Sequence, residues 1–140
     1  MTPFEEIYQL FAQKITDYKL LDLSDEILAS MLLGWLKSAI ANTKRLENDL
    51  EDINLEELCF NSNLNNTEKE VLALGMVIEW LRPQTNSVLL TSQFVSGSEE
   101  KSFSQSKHLS ELRTLSEESR INKRRLISDY FVQHNTYLEK

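Results

Sequence analysis

Residues 67–83 read TEKEVLALGMVIEWLRP, and this stretch decides the fold class. Thr67 and Glu70 have the spacing of a capping box, so a helix is expected to start here. Val71, Leu72, Leu74, Met76, Val77, Ile78, Trp80 and Leu81 then follow, with apolar side chains on almost every side of the expected helix. Such a helix is buried all round and forms the centre of a helical body. Gly75 in its middle costs about 1 kcal/mol against Ala, which points to a neighbouring helix in close approach. Pro83 is expected to end the helix, because its ring removes an amide donor and disfavours helical geometry at Arg82.

Upstream, two further helices are expected. Thr2, Pro3 and Glu5 form a start signal, with Thr2 as cap and Glu5 reaching back. Phe4, Ile7, Tyr8, Phe11, Ile15 and Tyr18 then recur at steps of three and four. Ser24 followed by Asp25 and Glu26 opens a second helix, running to about Leu46, whose acids complement the positive end of the helix dipole. Between this helix and the central one lies an acidic connector, 47–66. Its carboxylates read as a solvated face or, alternatively, a docking surface for a basic partner. Leu50, Ile53, Leu55, Leu58 and Phe60 favour a short helix folded against the body over free disorder.

Downstream, residues 84–103 change character. Val88-Leu89-Leu90-Thr91 and Gln93-Phe94-Val95 are β-compatible runs and Ser96-Gly97-Ser98 supplies a turn. An extended loop or hairpin is expected, with a short helix capped by Ser87 as the alternative. Val88, Leu89, Leu90, Phe94, Val95 and Phe103 either fold back onto the core or form a contact surface for a subunit or partner. From 104 to about 138 there is no Gly or Pro, and a long C-terminal helix follows. Leu109, Leu112 and Leu115 line its start and Leu126, Ile127, Tyr130 and Phe131 its end. Its polar middle, Ser116–Arg125, is expected to stay wet, so that the helix bridges two bodies or borders an assembly. The fold class is thus mainly α, a small helical bundle in one domain spanning 1–140.

Length and charge narrow the function. The chain has 140 residues, 41% apolar and 26% charged, and a formal charge of -7. That sign argues against non-specific wrapping of nucleic acid. The first 70 residues hold 14 acids against 6 bases and the last 70 hold 8 against 9, a distribution that permits head-to-tail packing of identical subunits. Cys59 is the single cysteine and reads as a small hydrophobe beside Phe60. Glu5 and Glu6 stand where a signal peptide needs bases, and Val71–Leu81 is too short for a bilayer crossing.

No catalytic arrangement is legible. His108 and His134 lack zinc-site spacing, and there is no P-loop, dinucleotide fingerprint or nucleophile elbow. The expectation is a non-enzyme without metal or cofactor. The sharpest electrostatic feature is Arg120, Lys123, Arg124 and Arg125 in the last helix. Arg120, Lys123 and Arg124 share a face, which makes a positive stripe. The stripe is either solvated and paired with Glu117 and Glu118 in the same helix, or a contact for phosphate or for acidic groups such as another subunit's 47–57 segment.

The order of parts is recognisable at this point. Two amphipathic helices and an acidic connector precede a buried helix ending in Glu79-Trp80-Leu81-Arg82-Pro83. An apolar segment through Asn86-Ser87 and Gln93-Phe94 leads to Phe103-Ser104-Gln105-Ser106-Lys107-His108-Leu109, opening a long helix with Asp129-Tyr130 near its end. This resembles the head-tail connector (neck or adaptor) proteins of tailed bacteriophages over most of the chain, roughly Thr2 to Tyr130. The resemblance implies a virion protein, made in the host cytoplasm, that forms a homo-oligomeric ring, commonly of twelve subunits. One side of the ring would bind the portal and the other a tail or second neck protein, with viral DNA passing through the lumen without sequence-specific binding. It also implies that 87–103 mediates subunit contacts and that the C-terminal helix or tail reaches the portal. The tail after Phe131, with His134, Asn135 and Tyr137, departs from any motif of that family.

Overall fold

The central apolar run is buried as its composition demands: Val71, Leu72, Ala73, Met76, Val77 and Leu81 are all fully enclosed. The computed structural model describes the backbone of residues 1–15, 23–94 and 99–134, and the side chains of these apart from 85–94 and 99–106. In chain order the elements are β1 (Thr2–Pro3), α1 (Phe4–Lys14), α2 (Asp25–Ala41), β2 (Ile53–Asn54), β3 (Cys59–Phe60), α3 (Asn66–Phe94) and α4 (Glu99–Gln133). The protein is mainly helical with a long C-terminal helix, as the sequence leads one to expect.

One core joins the four helices. Phe4, Ile7 and Phe11 of α1, Leu36, Ala39 and Ile40 of α2, the apolar run of α3 and Leu112 of α4 pack in a single cluster. Aromatic rings fill its α1 side, with Phe4 edge-on to Phe60 at 5.0 Å and Phe11 against Trp35 at 5.6 Å and Trp80 at 6.3 Å. Two ion pairs fasten α1 to the first turns of α3, Lys14–Glu70 at 2.7 Å and Lys69–Glu6 at 2.9 Å.

Helix starts follow side-chain chemistry, though not always at the residues expected. Ser24 caps α2, its Oγ accepting the Ile27 amide at 3.3 Å, and α2 ends at Ala41 rather than near Leu46. Thr2 is no helix cap. It lies in β1, where its hydroxyl donates to the Ser62 carbonyl and accepts the Leu64 amide, both at 2.9 Å. Partners about sixty positions away have outcompeted the local cap, and α1 begins after Pro3 without a side-chain cap. Residues 16–22, where the α1 stripe was expected to continue through Tyr18, lie outside the described residues.

The acidic connector is not a short helix. It contributes β2 and β3 to a small antiparallel sheet ordered β1-β3-β2, with Thr2 and Ile53 both opposite Phe60, and Pro3 and Asn54 both opposite Cys59. The reason lies in Asn and Asp side chains that offer the backbone turns in place of helix. Asp49 Oδ1 accepts the Glu51 amide at 3.0 Å, and Asn54 Oδ1 accepts those of Glu56 and Glu57 at 3.0 and 3.1 Å. Leu50, Phe60 and Leu64 anchor the segment in the core.

Two expectations about the second half are corrected. Pro83 does not end the central helix: α3 runs through it to Phe94, and α4 is already helical from Glu99, so most of 84–103 is helix rather than loop or hairpin. A single proline deletes one amide donor, and nearby the Gln84 amide side chain donates to the Trp80 carbonyl at 3.1 Å. Short apolar runs such as 88–91 do not distinguish strand from helix by periodicity, and there is no further Gly or Pro from Gln84 to Phe94. The middle of α4 is not wholly wet either. Its packed stripe passes without a break from Leu112 and Leu115 through Ser119 and Lys123 to Leu126 and Tyr130, at steps of three and four.

Candidate functional site

Small side chains let the helices meet closely enough to bury a lysine. At Gly75 of α3 an added Cβ would lie 2.9 Å from the Ala39 Cβ of α2 and 3.5 Å from Lys123 Nζ of α4. The close approach expected at Gly75 is therefore real, and its partner is α2. Lys123 enters the same gap, only 9% exposed, and its ammonium donates to the Asn42 carbonyl at 3.2 Å. Burial lowers the Lys123 pKa, and the nearby Glu79 carboxylate opposes that shift.

Around this lysine opens a cleft of about 620 Å³ between the C-terminal end of α2, the middle of α3 and the middle of α4. Ala39, Gly75, Ile78 and Ile127 give it an apolar floor, and its walls carry Lys44, Arg82, Arg120 and Arg124 against Glu79 and Glu117. Some of these bases are already engaged. Arg82 pairs with Glu79 at 3.0 Å, and Lys44 lies over the Phe131 ring at 4.9 Å. Arg124 reaches Glu117 only at 3.8 Å, with both side chains mostly exposed, a pair worth little in water. Arg120 has no ion-pair partner among the described residues. The cleft is thus positively charged, wet at its rim and apolar at its base.

The basic stripe read from the sequence divides here. Arg120, Lys123 and Arg124 line the cleft, whereas Arg125 is exposed outside it. Pairing in the same helix is realised for Glu117 alone among the described residues. The side chains of Val88, Leu89, Leu90, Phe94 and Phe103, and all of Val95, lie outside the described residues. Lys44, Arg82 and Glu79 were not legible as members of this site. Gly75 carried the one available signal, since a glycine inside an all-apolar helix marks where a neighbour comes close.

A second polar centre sits at the start of α3. Glu68 is fully buried, and its carboxylate accepts the amides of Asn48 and Asn65 at 2.8 and 3.0 Å, the Asn48 side-chain amide at 2.8 Å and, more distantly, the Glu47 amide at 3.4 Å. It folds the connector onto the helix end. The buried Tyr130 of α4 lies near the same group, its phenol hydrogen-bonding the Glu47 and Asn65 side chains. Burial, then the charges of Glu47 and Glu68, push its phenol above the usual value. His134 stacks on Tyr130 with ring centroids 4.1 Å apart, and its Nδ1 lies 2.9 Å from the Tyr130 carbonyl. Every carboxylate oxygen of Glu68 is occupied by protein donors, so this centre reads as structural.

Among the described residues no group of three or more His, Cys, Asp or Glu gathers as metal ligands would, and no helix is long and apolar enough to cross a membrane. Cys59 is buried. No family model, curated protein or solved structure matches this chain.

Proposed function

We propose that the chain is a structural subunit of the neck of a tailed bacteriophage particle, forming a ring of its own copies between the portal and a tail or second neck protein. The observation that carries the assembly part is the first half of α2. Its sequence from Ile27 to Trp35 is almost entirely apolar, yet Ile27 is 53% and Met31 36% exposed, and Leu28, Leu32 and Trp35 are half-buried. Burial of apolar residues is complete only in the last turns of α2, at Leu36, Ala39 and Ile40. Contiguous apolar surface of this kind marks an interaction site. The neck location rests on the order of parts described above, and the acid excess suits a lumen along which DNA slides without being held.

Purified particles and portal protein provide the test. The chain should be found in virions by mass spectrometry and should co-sediment with the portal. Absence from particles together with no portal binding overturns the proposal.

A second reading has its own observation, the cleft of Arg120, Lys123 and Arg124. A small helical regulator would use it to bind a protein or nucleic acid. Affinity for DNA that falls steeply with salt, and is lost when these bases and Arg125 are replaced, supports that reading over the first.

A further inference from the structure

Residues 55–58 form a projecting turn between β2 and β3. Leu55 and Leu58 are 48% and 46% exposed, flanking Glu56 and Glu57, which are exposed as well. Leu58 sits at φ 54°, a left-handed conformation that costs a branched side chain roughly 1–2 kcal/mol. The turn is nevertheless held firmly. Asn54 Oδ1 binds the Glu56 and Glu57 amides, and the Leu58 carbonyl accepts the Phe4 amide at 2.9 Å. Two leucines and two carboxylates are thus presented on a preorganised tip, which reduces the ordering cost of any contact it makes. Neither glutamate has an ion-pair partner among the described residues.

The cleft between α2, α3 and α4 is complementary to that tip. Its floor, Ala39, Ile78 and Ile127, matches the leucines in polarity, and its rim carries Arg120 without a partner and Arg124 in a loose one. We infer that the 55–58 tip of one copy docks in the α2-α3-α4 cleft of the next, Glu56 and Glu57 meeting Arg120 and Arg124. The contact uses different surfaces on its two sides, so it propagates head to tail and closes into a ring when the rotation permits. It deepens the ring assembly proposed above and rests on that reading for its biological setting. The chemistry of the contact stands apart from where the ring is located.

Sedimentation of the full chain over a range of concentrations tests this without portal or particles. The wild-type chain should self-associate, more weakly as salt rises. Glu56→Lys with Glu57→Lys should weaken association at least tenfold, and Arg120→Glu with Arg124→Glu should do the same. Mixing the two double variants, or combining all four changes in one chain, should restore association because each tip again meets a cleft of opposite charge. All four positions are exposed, and circular dichroism checks that the variants remain folded. Leu55→Ser provides an uncharged second variant, expected to weaken association while leaving its salt dependence in place. A wild-type chain monomeric at every concentration overturns the inference. So does association untouched by either reversal, failure of the mixture to recover it, or inorganic phosphate binding in the cleft with no self-association. Self-association of this kind by a chain that is absent from virions and does not bind the portal would defeat the neck reading alone. A chain found in virions whose association ignores the reversals would defeat the docking alone.

Discussion

Asn65 and Glu68 cap each other: the Asn65 side-chain oxygen accepts the Glu68 amide at 2.8 Å, and the Glu68 carboxylate accepts the Asn65 amide at 3.0 Å. This reciprocal box starts α3, and through its remaining acceptor capacity Glu68 also holds the connector at Asn48. A buried carboxylate with all its partners in place is a point where truncation leaves several donors unsatisfied.

Glu68→Ala should therefore destabilise the chain by about 3 kcal/mol, since each donor stranded away from water costs about 1–3 kcal/mol. Asn65→Ala removes one cap and should cost about 1 kcal/mol. Urea unfolding reads both as shifts in midpoint at constant slope. A Glu68→Ala loss no larger than that of Asn65→Ala would show that the box acts as an ordinary cap and that the connector is held by other contacts.

Gly75→Ala sets two effects against each other. Ala gains up to about 1 kcal/mol of helix propensity, but the added methyl would stand 2.9 Å from the Ala39 Cβ and 3.5 Å from Lys123 Nζ. Overpacking of this kind costs about 1–3 kcal/mol. The net expectation is a loss of roughly 1 kcal/mol. Ala39→Gly in the same chain should recover the steric part, so the double variant loses less than the two single changes added together.

These residues also mark what can be read from the chain. The all-apolar pattern of 71–81 made the central helix legible, and Gly75 signalled a close neighbour because nothing else justifies glycine there. Ser24 was legible as a cap because its partner, Ile27, is local. The capping box lies two positions before the pair its pattern suggests: Thr67 and Glu70 fit that pattern as well as Asn65 and Glu68 do, and only the tertiary structure shows that Glu70 is drawn off to Lys14 of α1. Thr2 failed as a cap for the same reason, with partners at Ser62 and Leu64. The sheet was hidden because two-residue strands carry no periodicity. As for the cleft, the stripe of bases on α4 was visible, but its walls come from α2 and α3, and helix periodicity does not say which helices meet.

Lys123 couples the cleft to pH. Its pKa is lowered in the folded chain by burial, so the unfolded chain binds more protons in the range between the folded value and 10.5, and stability rises with pH across that window. Below the folded value both states are protonated and the full burial cost is present. Lys123→Met, which keeps the apolar stem and removes the charge, should be at least as stable as wild type at neutral pH. The advantage should shrink as pH rises toward the unfolded value. Urea midpoints of both proteins at a series of pH values check this. A constant difference between the two would show that Lys123 titrates normally in the folded chain.

Tyr8 gives the opposite dependence at higher pH. Its phenol is pushed up to about 12, first by burial and then by the neighbouring Glu5 carboxylate. The unfolded phenol titrates near 10, so the stability that Tyr8 contributes is complete below that value and is lost as pH rises toward the folded one. Tyr8→Phe removes the titration and keeps the ring, which packs against Phe4 with centroids 6.4 Å apart. The variant should match wild type near neutrality and lose less stability on the alkaline side. Lys123 and Tyr130 titrate in both proteins, so their contributions cancel in the difference, and what remains belongs to Tyr8. Tyrosinate absorbance during an alkaline titration of the folded wild-type chain supplies the independent check: one phenol present in wild type and missing from Tyr8→Phe should ionise late. If the phenol lost by the substitution instead ionises at the ordinary value, the ring is open to water on its hydroxyl side and the alkaline difference should vanish with it.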